Sequence, residues 1–245
     1  MADTSVARKG RDDLSRFLVH LTREYGGRSA EANLLSILLG KRIEARNFHC
    51  LFNKEIARSE FTRTLQDKFK TVCFTEAPLN QIRHLAKDIK GRNVQLQPFG
   101  LVFWKDDLLR SGANPALYVS SQAGGVRELL LSEFRCHFET SASYKALCQE
   151  YEDSADAIIH YYSMINVISG RYDFSWEREW RRPGHHDFKY KDLVAIVAKA
   201  PDSFRRTIKS SVGKRHRDLL RIPIISTEWS YERIVEEMSI RIWQA

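Results

Sequence analysis

The segment FSWEREWRR, residues 174–182, places two glutamates, two tryptophans and three arginines close together. Read as a strand, it puts Glu177 and Glu179 on one face and Trp176, Arg178 and Trp180 on the other, because side chains alternate with a period of two. On a helix the two carboxylates would lie about 200° apart and serve no common site. The tryptophans, and the Pro183–Gly184 turn that follows, favour the strand. Carboxylates so placed can stabilise a developing positive charge or move a proton. With another carboxylate they can hold a divalent metal.

A second pair of polar side chains ends an apolar run. In FLVHLT, His20 and Thr22 share a strand face and can orient a polar ligand together. A strand-end histidine satisfied by backbone is the plainer alternative. His185, His186 and Asp187 have metal-ligand chemistry, but neighbouring side chains on a strand point apart, so no metal site is expected there. Cys50, Cys73, Cys136 and Cys148 show no CxxC or finger spacing, and buried reduced thiols are the expectation.

These residues need a scaffold. The 245 residues, 43% hydrophobic and 29% charged, fit a globular chain with a substantial core. Residues 1–12 read as a flexible charged lead and 13–245 as one domain. No apolar leader and no run of about 20 apolar residues is present, so a cytoplasmic, non-membrane protein is expected. LSRFLVHLT (14–22) reads as a strand or a short helix–strand unit, and TVCFT (71–75), FGLVFW (99–104), ALYVS (116–120), LVAIVAK (193–199) and RIPIIS (221–226) read as strands. AEANLLSILLG reads as a helix with Gly40 as its C-cap. SEFTRTLQDKF (59–69), a helix opened by Pro78 and SYERIVEEMSIRIW (230–243) read as further helices. KDDLLRSGANP carries turn chemistry, and 126–168 is a long helical region. The result is an α+β domain, a mixed sheet core with a helical insertion.

Three segments together resemble a known family. FLVHLTREYGGRSAEANLLSILLGKRIEAR resembles the opening of ADP-ribosyltransferases of the DarT-like type, where a His-x-Thr strand leads to a helix of the form NL..IL..G. Asn33, Leu34, Ile37 and Leu38 match that form, and Gly40 stands for its glycine one position early. VCFTEAPL (72–79) with GLVFWKDDLLRSGANPALYV is similar to the central part of AbiGi-type abortive-infection proteins. A later Glu-x-Glu strand completes the ADP-ribosyltransferase order of motifs, over roughly residues 14–182.

The resemblance implies an ADP-ribosyltransferase-like fold and NAD as co-substrate. It makes Glu179 the catalytic carboxylate, opposite the oxocarbenium-like charge on the ribose, with Glu177 the second choice for that role; with Glu179 in it, Glu177 would orient or deprotonate the acceptor. His20 would contact a ribose hydroxyl and Thr22 the nicotinamide end. Phe74 would be an aromatic floor for the ring, Thr75 a partner for its amide and Arg46 a clamp on the pyrophosphate. No GxGxxG loop is present, so a Rossmann cofactor site is not expected.

The acceptor is approached through charge. A net charge of +8 favours polyanions, and FRRTIKSSVGKRHRDLLR (204–221) holds seven Lys or Arg against one acidic residue. Such a run is either a solvated face or a phosphate-tracking surface, with Trp176, Trp180 and Trp229 able to stack on unpaired bases. With the resemblance, it points to a phage-defence toxin that modifies nucleic acid, RNA ahead of DNA, under an antitoxin's restraint. A metal-dependent nuclease using Glu177 and Glu179, and a non-catalytic nucleic-acid-binding or antitoxin component, are the rival classes.

Overall fold

The computed structural model describes residues 14–58, 61–89, 94–122, 124–151, 154–168, 173 and 175–243. The expected flexible lead, residues 1–12, lies outside them, as does Phe174. The strands are β1 (Phe17–Leu21), β2 (Arg42–Ile43), β3 (Thr71–Thr75), β4 (Gly100–Trp104), β5 (Asn114–Pro115) and β6 (Leu117–Ser120). They continue as β7 (Ile165–Ile168), β8 (Glu179–Pro183), β9 (His186–Asp187), β10 (Leu193–Val197) and β11 (Ile224–Ile225). With the intervening helices this is a mixed α and β chain built on a mixed sheet, as the α+β expectation requires. Two compact units divide it, one from the described residues of 1–42, 74–111 and 187–245, the other from those of 43–73 and 112–186.

In the first unit the strand order is β11-β10-β4-β1-β3. β4 runs antiparallel to both β1 and β10, and β11 is parallel to β10. FLVHL, GLVFW and LVAIV are apolar on both faces, as strands covered on both sides must be. One face carries Val19, Leu21, Val102, Ala195 and Val197 against Ile82, Leu85 and Ile234. The other carries Phe74, Phe103 and Phe188, with edge-to-face centroid distances of 6.0 and 5.6 Å.

Local chemistry moves several boundaries in this unit. The helix Ala30–Gly40 starts at Ser29, whose hydroxyl accepts the Ala32 N–H at 3.2 Å, and it buries Leu34 and Leu38. Its left-handed end falls on Lys41 (φ 53°), one residue beyond the expected Gly40. The Lys41 ammonium lies 4.6 Å from the Tyr190 ring centroid, a cation–π contact that favours this conformation. KDDLLRSGANP is not all turn: Lys105–Arg110 is helical, with Asp106 and Asp107 in the first turn and Arg110 in the last, as the helix dipole favours. The helix expected after Pro78 shortens to a 3₁₀ turn, Leu79–Gln81, and one α turn, Ile82–Leu85.

Gly100 pairs with Leu21 across β1 and β4. A Cβ there would sit 2.4 Å from the His20 carbonyl oxygen. The obstacle is backbone, which a rotamer change cannot clear. Gly100→Ala is therefore expected to separate the two strands at this pair and to cost about 1–3 kcal/mol, read as a lower urea midpoint. An unchanged midpoint would show that β1 and β4 do not approach this closely.

The second unit contains the region 126–168, which divides into the helices Val126–Phe138, Ser141–Tyr151 and Ala155–Met164 and then β7. β7 pairs in parallel with β6, Leu117 opposite Ile165. These helices form the unit's core with the preceding segment: Phe52, Phe61, Phe69, Phe134, Phe138 and Tyr162 cluster there. Phe52 and Phe134 stack at 4.5 Å. Also in this unit, β8 lies between β5 and β3, whose residues Thr71–Cys73 belong here. Trp180 is buried in β8 opposite Pro115.

Candidate active site

The strand expected at WEREWRR begins only at Glu179. Ser175–Glu177 form a 3₁₀ turn and Arg178 takes a positive φ of 46°. The Asp173 carboxylate accepts both the Ser175 N–H (2.9 Å) and hydroxyl (2.6 Å), and the Arg178 N–H returns to the Ser175 carbonyl at 3.1 Å. That Asp-centred turn overrides the strand preference of the tryptophans. Glu177 therefore does not alternate with Glu179 along a strand, although its charge still acts on Tyr118, the phenol bonded to Glu179.

The residue that shares Glu179's face is Arg181, two positions on. Arg181 Nε donates to Glu179 Oε1 at 3.0 Å and Nη2 to Oε2 at 2.9 Å, a bidentate pair. Arg181 is 1% exposed, and its Nη1 donates to the Ser163 carbonyl at 2.8 Å. Tyr118 donates its phenolic proton to Glu179 Oε2 at 3.0 Å. Burial works to raise the Glu179 pKa, but the Arg181 charge and hydrogen bonds, with bonds from Cys73 and Tyr118, outweigh it and hold the carboxyl below the usual glutamate range. Burial and then the Glu179 charge push Cys73 up to about 12 and drive the Tyr118 phenol upward too. The site is an anion kept ionised, ringed by neutral donors and one guanidinium. Its side chain remains 14% exposed.

The residues expected to contact NAD fall in both units. In the first unit, half-buried His20 and Phe74 meet edge to face at 5.9 Å. Phe74 itself is 3% exposed, so it is a core side chain and not an open floor for a ring. Thr22 is buried, and its hydroxyl donates to the carbonyls of Ala30 (2.9 Å) and Phe99 (3.1 Å). The Thr75 hydroxyl accepts the Ala77 N–H at 3.1 Å. Both threonine hydroxyls thus bond backbone groups, Thr22 through its proton and Thr75 through its oxygen. Buried Asn33, read only as part of the helix pattern, donates to the Arg23 carbonyl at 2.9 Å and fixes the loop after β1.

Arg46, in the second unit, pairs with Glu44 at 2.9 Å. It also lines a surface pocket of about 420 Å³ with Asn47, Phe48, His49, Asn53 and Lys54. The tryptophans divide: Trp176 is exposed, Trp180 buried, and Trp229 is covered by the Arg233 guanidinium 4.3 Å from its ring centroid.

His185 Nδ1 accepts the Ala45 N–H at 2.9 Å, and Asp187 is held by Arg42 at 2.5 Å. Among the described residues, no three His, Cys, Asp or Glu side chains gather to hold a metal ion. No cysteine forms a disulfide, but the expectation that all are buried is corrected: Cys50 is buried and Cys136 is exposed. No described helix is long and apolar enough to cross a membrane.

Sequence reasoning overlooked Arg181 and Tyr118 as partners of Glu179. For Arg181 the signal was plain, because Glu-x-Arg on a strand puts opposite charges on one face. A scan of protein-family models, a search of curated proteins and a search of solved structures each returned no match for this chain.

Proposed function

We propose that the protein is a mono-ADP-ribosyltransferase of the phage-defence toxin kind, moving ADP-ribose from NAD to a nucleic-acid acceptor. One observation carries the reading: Glu179 is a carboxylate held ionised at the head of β8, with an edge still open. In the reaction the C–N bond between ribose and nicotinamide breaks and nicotinamide leaves with the electron pair. The acceptor nucleophile then bonds to the same carbon and loses a proton. The positive charge that builds on the ribose calls for a fixed anion whose preorganisation costs nothing at the moment of reaction. Tyr118 supplies a hydroxyl donor that a ribose hydroxyl can replace on Oε2. His20 is assigned to NAD by the motif resemblance, and an antitoxin partner follows from the same resemblance.

A specific observation favours the non-catalytic rival, a nucleic-acid-binding or antitoxin component. Arg181, Tyr118 and Cys73 together take up about as many lone-pair sites as a carboxylate has. The metal-nuclease reading loses the strand alternation that put Glu177 and Glu179 on one face.

Incubation of the protein with labelled NAD and RNA or DNA, with and without chelator, separates these readings. The expected result is transfer of label that chelator leaves untouched and that Glu179→Gln reduces by about 10²–10³-fold. Circular dichroism confirms that the variant is folded. Wild-type protein that is folded and toxic in cells, yet consumes no NAD with any acceptor, would sink the enzyme reading and leave the binding component standing.

A further inference from the structure

We propose that the outward face of the helix Pro201–Ser211, with the following 3₁₀ segment Lys214–Arg221, is a preorganised track for single-stranded RNA. The proposal deepens the acceptor half of the function above and rests on it. The helix buries Phe204 and Ile208 on one side. At 100° per residue, Arg206, Lys209 and Ser210 then fall on the opposite arc, and all three are exposed.

The structure sorts the cations of this run by availability. Arg205 is a brace: it donates to the Leu220 carbonyl and to Glu237, both at 3.2 Å, stitching the helix to the 3₁₀ segment and to the helix Tyr231–Trp243. Arg221 stands 4.0 Å from Asp218, both highly exposed. Arg206, Lys209 and Arg217 make no ion pair with the described residues, and Arg206, Lys209 and Arg217 are the side chains left to meet phosphate. Asp202 is the acidic group on the helix's own first turn, so the track runs from Arg206 toward the C-terminal end, away from it.

The backbone beneath these side chains is braced. Tyr190 donates its hydroxyl proton to the Leu38 carbonyl at 3.0 Å, which leaves its oxygen to accept from His216 Nδ1 at 2.6 Å. The Lys214–Arg221 segment, which kinks at His216, is thereby pinned at the kink, in the middle of the basic run. A backbone fixed before binding loses little loop entropy on binding.

Ser210 selects the sugar. Its hydroxyl proton goes to the Thr207 carbonyl at 2.9 Å, so the oxygen of this exposed residue is left as an acceptor, next in sequence to Lys209. A ribose 2′-hydroxyl can donate to it and deoxyribose cannot.

Fluorescence anisotropy of a short end-labelled oligouridylate across a salt series, with no NAD present, tests this. The variant carrying Arg206→Glu, Lys209→Glu and Arg217→Glu is expected to bind at least about 10-fold more weakly and to flatten the salt slope by about 2, from about 0.7 per single-strand phosphate contact. A matched variant with Arg83→Glu, Lys87→Glu and Lys145→Glu has the same net charge and is expected to keep the wild-type slope. Ser210→Ala is expected to narrow the preference for oligouridylate over oligodeoxyuridylate. No binding by wild type, an equal loss in the matched variant, or equal affinity for the DNA strand would each overturn the proposal. So would binding of polyglutamate in place of RNA, which would assign the face to an acidic protein. Because NAD is absent, failure here is separate from failure of the transferase chemistry, which the labelling experiment reads on its own.

Discussion

Arg181→Met is expected to destabilise the second unit by about 3–5 kcal/mol, because it strands a buried carboxylate without its partner. The wild-type pair is bidentate, and Arg181 also donates to the Ser163 carbonyl, so the substitution breaks three hydrogen bonds. Urea unfolding followed by the fluorescence of Trp180, buried in this unit, would read the loss. Replacing both partners, as in Glu179→Leu with Arg181→Met, is expected to recover much of it, since apolar side chains of similar volume leave no charge uncompensated. A loss under about 1 kcal/mol for Arg181→Met would match an exposed pair and overturn the network as described.

The same pair fixes a pH dependence. The folded Glu179 carboxyl titrates below the usual glutamate value of 4.5. The stability it contributes is therefore fully present above that value and is lost as pH falls through the folded pKa. The gap between wild type and Arg181→Met should shrink on acidification through this range. A gap that is flat or widening would mean that Glu179 is not the titrating partner.

What the sequence disclosed about the fold follows the range over which each signal acts. β1, β3, β4 and β10 were legible because apolar, β-branched and aromatic residues run together there, and sheet interiors demand that composition. The helix Ala30–Gly40 was legible from leucines at helical spacing. Its end slipped by one residue because Tyr190, far along the chain, offers Lys41 a ring to cover. KDDLLR read as a turn because Gly112 and Pro115 dominate its end. Its own charges, acidic first and basic last, were the helix signal.

The candidate site was half legible for a related reason. Glu179 stands out as an acid among tryptophans, but the strand pattern ran on by eye through Arg178, where a single positive φ ends it. That break depends on Asp173 capturing Ser175, a local hydrogen-bonding choice that alternation does not encode. Phe74 and Thr75 drew notice for their types, yet burial turns the ring into core and the hydroxyl into a turn brace. Tyr118 lies 61 residues before Glu179, and nothing in its own segment, ALYVS, marks it as a carboxylate donor.

Glu76, in the same VCFTEAPL segment, leads to the second large effect. Its Oε1 accepts from Lys105 Nζ at 2.6 Å, with the two side chains only 12% and 11% exposed. Lys105→Met keeps the stem's volume and removes the charge, leaving a largely buried carboxylate without its ammonium partner. The expected loss for the first unit is about 3–5 kcal/mol, with Glu76→Gln alone similar and the double substitution milder than their sum. The pair is placed to matter, because β1 runs between the strands that carry it. Val19 pairs with Thr75 on β3 and with Val102 on β4, and the Lys105 N–H donates to the Arg16 carbonyl at 2.9 Å. The ion pair therefore clasps β3 to β4 beside β1, whose next residue is His20. Hydrogen exchange across β1 should accelerate in Lys105→Met, at His20 as well as at its apolar neighbours. If His20 contacts NAD as assigned, NAD use should weaken in this variant while RNA binding through Arg206, Lys209 and Arg217 persists. Unchanged exchange in β1 would show that the strand is held by its hydrogen bonds and apolar faces alone.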